Sequence, residues 1–183
     1  PQDWALPFWD YNETGNPAAL QVPPPFLVPD TPAAPNPLWT KRGNTQLQGF
    51  WVSLNAMNNF PFTGNAITAP RSFGGPATAF SHDGSLHAHG AIEAKPHDLV
   101  HDAMQGLMSD SNTAPLDPLF WLHHANIDRL WQVWLNLGGR NNPAEPGWLN
   151  TRFLFHNSQG IEESITAQDV LNSSQILGNA DQS

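Results

Sequence analysis

Residues 117–139 admit one local solution. Asp117 is a good helix N-cap, Pro118 suits the first helical position, and Gly138-Gly139 is a C-terminal stop. Between them Phe120, His124, Ile127, Trp131 and Trp134 recur at steps of 4, 3, 4 and 3, the spacing of one buried helix face. A histidine inside such a stripe must satisfy its ring nitrogens away from water. The segment from about Pro96 to Met108 predicts a second helix. Its His97 and His101 are four apart and share one face at a separation of about 6 Å, and Val100, Met104 and Met108 extend that face. Three imidazoles therefore point inward from two helices, and one shared ion satisfies all three.

A single histidine on an apolar face is more often a hydrogen-bonded core residue than a ligand, and an isolated H-x-x-x-H pattern is weak. The conjunction of a four-spaced pair with a third histidine on another core stripe is what favours a metal. The chain has no Cys, so the donors are neutral imidazoles, which suit copper or zinc with an open position for catalysis. His123 precedes His124 by one residue and points about 100° around the helix. The stripe selects His124 as ligand and leaves His123 as a supporting or packing residue. Asp128 and Arg129 read as a structural pair or an imidazole orienter. His82, His87 and His89 lie in a Gly/Ser-rich stretch and read as exposed loop histidines, and His156 reads as structural.

The remainder predicts a loop-rich globular domain. Eight of the 18 prolines fall at 17, 23, 24, 25, 29, 32, 35 and 37; their missing donors and fixed φ make an extended surface segment that wraps a core. Residues 46–60 predict a short helix, residues 63–90 a loop, Phe153-Leu154-Phe155-His156 a short strand, and the last dozen residues a polar, frayed end. Charged residues are 13% against roughly 25% in ordinary soluble domains, so ion pairs are few. The formal charge of −9 argues against nucleic acid or an anionic membrane as partner, and no apolar run approaches the ~20 residues of a bilayer span. The 183 residues fit a single domain, with 156–183 as a C-terminal extension. A start at Pro1 without Met suggests a piece of a longer protein. Asn12-Glu13-Thr14 and Asn172-Ser173-Ser174 fit the glycosylation pattern without establishing secretion.

At this point the residues match a family. Asp117-Pro118-Leu119-Phe120-Trp121-Leu122-His123-His124-Ala125-Asn126-Ile127-Asp128-Arg129-Leu130-Trp131 resembles the second copper-binding signature of tyrosinases and polyphenol oxidases. Gly90-x-x-Glu93-x-x-Pro96-His97-x-x-Val100-His101 resembles the helix that precedes it there, and Trp4-Ala5-Leu6-Pro7-Phe8-Trp9-Asp10-Tyr11 resembles the segment just after the first copper site. Asn36-Pro37-Leu38 and Phe73-Gly74-Gly75-Pro76 are weaker echoes, and the likeness covers most of residues 1–155.

The resemblance implies a mainly α fold, part of a four-helix bundle holding two copper ions, with long Pro/Gly-rich loops. His97, His101 and His124 carry over as ligands of the second copper. Glu93 matches the acidic residue that holds a water near the metals and is proposed to deprotonate a phenol. The implied reaction is oxidation of phenols or o-diphenols to o-quinones by dioxygen. The first copper's ligands precede the Trp-Ala-Leu-Pro segment in the family, so this chain supplies ligands for one ion, and a preceding segment or a separate chain supplies the rest. Where the family often has Asn after the first histidine of this helix, this chain has Asp98. A carboxylate accepts hydrogen bonds only, so Asp98 joins Glu93 as a candidate for the phenolic proton, and diphenol oxidation is favoured over monophenol hydroxylation. Rival readings are a haemocyanin-like dioxygen carrier, a non-catalytic fragment with a single metal, and a zinc hydrolase. The last reads His97-Asp98-x-x-His101 as a variant of H-E-x-x-H and leaves the Asp117–Trp131 run unexplained.

Overall fold

The computed structural model describes residues 5–13, 15–76 and 88–177. His82 and His87 lie outside the described residues. The described chain is mostly helical and looped, with helices α1 (Asp98–Met104), α2 (Leu119–Asn136), α3 (Pro146–Leu149) and α4 (Ala167–Leu177), and one antiparallel hairpin of β1 (Arg152–His156) and β2 (Glu162–Thr166). No described helix is long and apolar enough to cross a membrane.

Helix α2 starts and stops on the residues that predict it. Asp117 Oδ1 accepts the Leu119 amide at 2.9 Å, and the helix gives way to a turn in which Gly138 and Gly139 take positive φ of 78° and 66°. The Asp117 carboxylate is also completely buried, and it pairs with Arg42, whose Nε donates to Oδ2 at 2.8 Å, while Thr40 Oγ1 donates to the same oxygen at 2.8 Å. Arg42 Nη1 reaches the Phe26 carbonyl at 2.9 Å. One carboxylate therefore caps α2 and ties down the proline-rich strap. That strap consists of short 3-10 turns (Pro17–Leu20 and Pro24–Phe26), and it returns along residues 45–47 through Val22 N–H to Thr45 O and Leu47 N–H to Leu20 O. This pairing occupies the backbone where a helix over 46–60 would begin, so only the 3-10 turn Asn55–Asn58 forms there.

Helix α1 is shorter than its periodicity predicts. It begins at Asp98, after a π-type turn over Glu93–His97 that is kinked at Lys95. It ends at Met104 because its last carbonyls are claimed from outside: Gly43 N–H donates to Met104 O at 2.9 Å, and Asn44 Nδ2 to Ala103 O at 2.6 Å. The chain then turns through Gln105 (φ 56°) and Gly106 (φ 62°). A Cβ on Gly106 would stand 2.4 Å from the Lys41 carbonyl oxygen, so only glycine lets these backbones meet. Gly90 has the same function before α1, since a Cβ there would fall 2.3 Å from the Gly75 nitrogen. With that close approach, Ala91 and Ile92 bond to the Ser72 and Phe73 carbonyls at 2.9 and 3.1 Å.

Two apolar clusters flank the helix pair. One joins Trp9, Tyr11, Val22, Phe26, Leu47 and Val52 to Val100, Met104, Met108 and Leu119. The other gathers Ala56, Phe73, Ile92, Leu130 and Trp134, with Phe73 stacked on Trp134 at 4.5 Å. The fully buried stripe of α2 is Leu119, His123, Asn126, Leu130 and Trp134, one residue round from the expected Phe120, His124, Ile127 and Trp131. The opening segment causes the rotation. Trp9 N–H bonds the Leu122 carbonyl at 3.1 Å, and Tyr11 packs on His123, covering a flank of α2 that would otherwise face water.

At the C-terminal end, Phe153 pairs with Ile165 and Phe155 with Glu163 across the hairpin. Helix α4 follows directly and runs to Leu177, where a frayed polar end was expected. Thr166 and Asp169 form a reciprocal cap: the Asp169 carboxylate accepts the Thr166 amide at 2.9 Å, and Asp169 N–H donates to Thr166 Oγ1 at 3.1 Å. Thr166 Oγ1 also donates to the Asp169 carboxylate at 2.6 Å, and this bond together with the amide bond lowers the Asp169 pKa. The T-x-x-D spacing is the sequence signal for this helix.

Candidate metal centre

The turn before α1, α1 itself and the first half of α2 bring four imidazoles together. The His97 ring centroid lies 4.8 Å from His101, 5.4 Å from His123 and 5.1 Å from His124. His101 lies 5.0 Å from His123 and 5.3 Å from His124. Donor atoms of His97, His101 and His123 all fall within 4.8 Å of one another. Sequence spacing predicts that only one of His123 and His124 turns inward, but the structure draws both rings to the cluster. The 100° step separates their Cβ atoms, and the ring-length side chains close that gap.

What holds each ring determines what it offers. His101 Nδ1 meets the Met108 carbonyl at 2.7 Å and His124 Nδ1 meets the Phe120 carbonyl at 2.9 Å. A carbonyl only accepts, so both Nδ1 atoms carry the proton and both Nε2 atoms keep a lone pair. His97 Nδ1 is 2.9 Å from Asp98 Oδ1, which imposes the same tautomer. Burial lowers the pKa of His101, puts that of His124 at about 4, and lowers that of His123 well below the ordinary value. These rings are neutral at pH 7.

His97 Nε2 and His124 Nε2 face each other at 3.1 Å, a contact that accommodates one shared proton or one cation but not two bare lone pairs. Two lone pairs in contact repel, and a cation relieves the repulsion. Ligands about 2.0 Å from one ion stand roughly 3.3 Å apart at the tetrahedral angle, close to the separation found. The donor set therefore fits a small nitrogen-seeking metal ion. His97 retains 23% side-chain exposure, which leaves the cluster open on that side, while Phe120 closes on His124 at 3.8 Å between ring centroids.

Beside the cluster, His89, Glu93 and Asp98 bring ligand atoms within 4.8 Å of one another. His89 is only 6% exposed and its Nδ1 is 2.9 Å from Asp98 Oδ2. The expected exposed loop histidine is thus a buried partner of the carboxylate, placed there by the close backbone approach at Gly90. Asp98 spans two imidazoles, one per oxygen. Burial alone would raise its pKa, but donation from His97 and the charges of His97 and His89 outweigh that and hold it below the ordinary value.

Arg129 reaches well beyond its neighbour in sequence. Its Nη2 donates to Asp10 and its Nε to Asn126, both at 2.9 Å, which ties the opening segment to α2 beneath His123. One turn of helix points Arg129 toward that segment, a partner invisible to local spacing.

A family described as the common central domain of tyrosinase matches residues 19–137, and one described as the polyphenol oxidase middle domain matches residues 142–182. Tyrosinase HcTyr1 of Hahella sp. (strain CCB-MM4) is 43% identical over 189 residues, covering 97% of this chain and 40% of that protein. A chloroplastic polyphenol oxidase of Malus domestica is 28% identical, covering 92% of this chain and 31% of its own length. The chain thus spans two fifths or less of these relatives. Among solved structures, latent apple tyrosinase superposes with a TM-score of 0.65 at 28% identity, over 94% of this chain and 41% of that one. An active aurone synthase superposes with a TM-score of 0.69 at 21% identity, over 94% and 56%, a likeness of fold.

Proposed function

From the premise that this chain belongs to the tyrosinase family, whose members are copper oxidoreductases, we propose that it forms the second-copper part of an enzyme oxidising phenols and o-diphenols to o-quinones with dioxygen. His97, His101 and His124 hold one copper through Nε2. The observation that carries this reading is the facing pair of Nε2 atoms at 3.1 Å, in two rings whose Nδ1 atoms each meet a fixed acceptor. Bound copper supplies the one-electron steps that let dioxygen accept electrons from an organic donor. Two o-diphenols release four electrons and four protons, which together reduce one dioxygen to two waters. Three imidazoles fill one ion, so the ligands of a second ion come from a preceding segment or a separate chain.

The protein's own groups handle positioning and protons. The Met108 and Phe120 carbonyls and the Asp98 carboxylate lock the three ring orientations. Aromatic substrate enters past the exposed edge of His97. Asp98 has both oxygens committed to imidazoles, so its part shifts from proton acceptor to orienter, and Glu93 takes the phenolic proton. The test is to express the intact protein, load it with copper, and assay quinone formation from catechol and from tyrosine. Quinone from catechol supports the reading. Full copper loading without quinone from either substrate defeats it, and reversible oxygenation in its place identifies a dioxygen carrier.

A further inference from the structure

His123 poses a problem that the copper reading leaves open. It is the most buried histidine of the four, fully enclosed, and it stacks on His97 with a 14° tilt. One of its ring nitrogens lies within 4.8 Å of donor atoms of His97 and His101. Proximity alone makes it a rival of His124 for the same ion. The difference lies at Nδ1. His124 meets a carbonyl there, whereas His123 meets the hydroxyl of Tyr11 at 3.2 Å. A hydroxyl can donate, so the Tyr11 contact is the single one of these four that permits the opposite tautomer.

Tyr11 is the only tyrosine of the chain and is 2% exposed. Trp9 meets it edge-on at 5.4 Å, and Asp10 on one side is held by Arg129, so the phenol is fixed in place. Burial raises the phenol pKa and outweighs the opposing hydrogen bond with the Asn126 side chain, whose Oδ1 already accepts from Arg129, so the hydroxyl keeps its proton and has one to give to His123. If it donates to Nδ1, the ring proton moves to Nε2. That nitrogen is buried and has no hydrogen-bond partner.

We propose that Tyr11 is a positioning residue: by donating its hydroxyl proton to His123 Nδ1 it keeps the ring proton on Nε2, and so bars His123 from the metal and leaves the ion to His124. The Nε2–H then serves as a buried donor beside the cluster. Two adjacent histidines of equal reach are sorted by the one side chain behind the first. The inference rests on the proposed metal site for its consequence, but its core, the tautomer of His123, exists with or without the ion.

The experiment is nitrogen-15 NMR of the histidine rings in the intact protein, first metal-free and then loaded with Zn2+ as a diamagnetic probe. The expected result is protonation at Nε2 for His123 and at Nδ1 for His97, His101 and His124, with zinc moving the Nε2 signals of those three and not of His123. Protonation of His123 at Nδ1 in the wild type, or a zinc shift at its Nε2, overturns the proposal. In Tyr11→Phe the donor is lost, and His123 becomes a mixture of tautomers whose Nε2 competes for zinc. The double variant Tyr11→Phe/His123→Gln removes the competitor and restores the wild-type zinc shifts at His97, His101 and His124. A defect that persists in the double variant assigns Tyr11 a packing role alone and also overturns the proposal. The metal-free measurement on wild-type protein decides the tautomer even if Tyr11→Phe fails to fold. Absence of quinone in the enzymatic assay leaves these readouts untouched.

Discussion

The helix pair and the C-terminal hairpin put similar side chains to different use. Around α1 and α2, Met104, Leu119 and Trp134 are fully buried, and even the charged Asp117 is shielded from water. On the hairpin, Leu154, Phe155 and Ile161 are 64%, 52% and 58% exposed. The first region closes long-range contacts from the strap, the opening segment and the loop at Phe73. The second is held by its ladder and by the Thr166–Asp169 cap, both local in sequence. The division falls where the two family matches meet, between residues 137 and 142. Polar groups are consequential in the buried region and nearly neutral in the exposed one, because desolvation magnifies a lost partner.

The comparison can be broken by mutation. Asp117→Ala leaves the Arg42 guanidinium buried without its carboxylate and uncaps α2, and should cost about 3–5 kcal/mol in chemical denaturation. An effect below 1 kcal/mol, the scale of an exposed pair, would show that burial does not separate the regions. Metal removal is next in size. An ion bound at about 100 times its dissociation constant stabilises the native state by ~2.7 kcal/mol. Chelation should therefore raise hydrogen exchange in α1 and α2 and leave the β1–β2 amides unchanged, and equal acceleration of both would erase the distinction. Asp98→Ala removes the acceptor behind His97 and should weaken copper binding about 10–100-fold in a competition titration. Smallest of all, Leu154→Ala on the exposed strand should stay within ~0.5 kcal/mol of wild type, unless a partner covers that face.

Much of the candidate site is legible in the sequence alone. The H-x-x-x-H pair, the third histidine on α2, and the residues that start and stop that helix are local patterns, and the structure brings those three rings together. Glu93 and Asp98 also fall beside the cluster. What escaped was set by contacts distant in sequence. The burial of His89 depends on Gly90 meeting residues 73–75. The early end of α1 depends on Gly43 and Asn44 taking its carbonyls. The one-residue rotation of the α2 core depends on Trp9 and Tyr11 covering a flank, and Arg129 answers to Asp10 across 119 residues. Helical period reports which residues share a face, but it carries no information about what packs there.

Sequence by itself determined the chemistry within reach: imidazole donors without thiolates, placed at helical spacing on apolar faces, with carboxylates one and four residues from His97. Those are properties of residue type and of a 3.6-residue repeat, which every α-helix obeys. Only the tertiary structure decided which nitrogen of each ring is free, because that depends on whether a carbonyl, a carboxylate or a hydroxyl lies behind it. Those partners arrive from as close as the neighbouring residue for His97 and from as far as 112 residues away for His123. A proton's place on an imidazole is a through-space matter, so it is settled by packing.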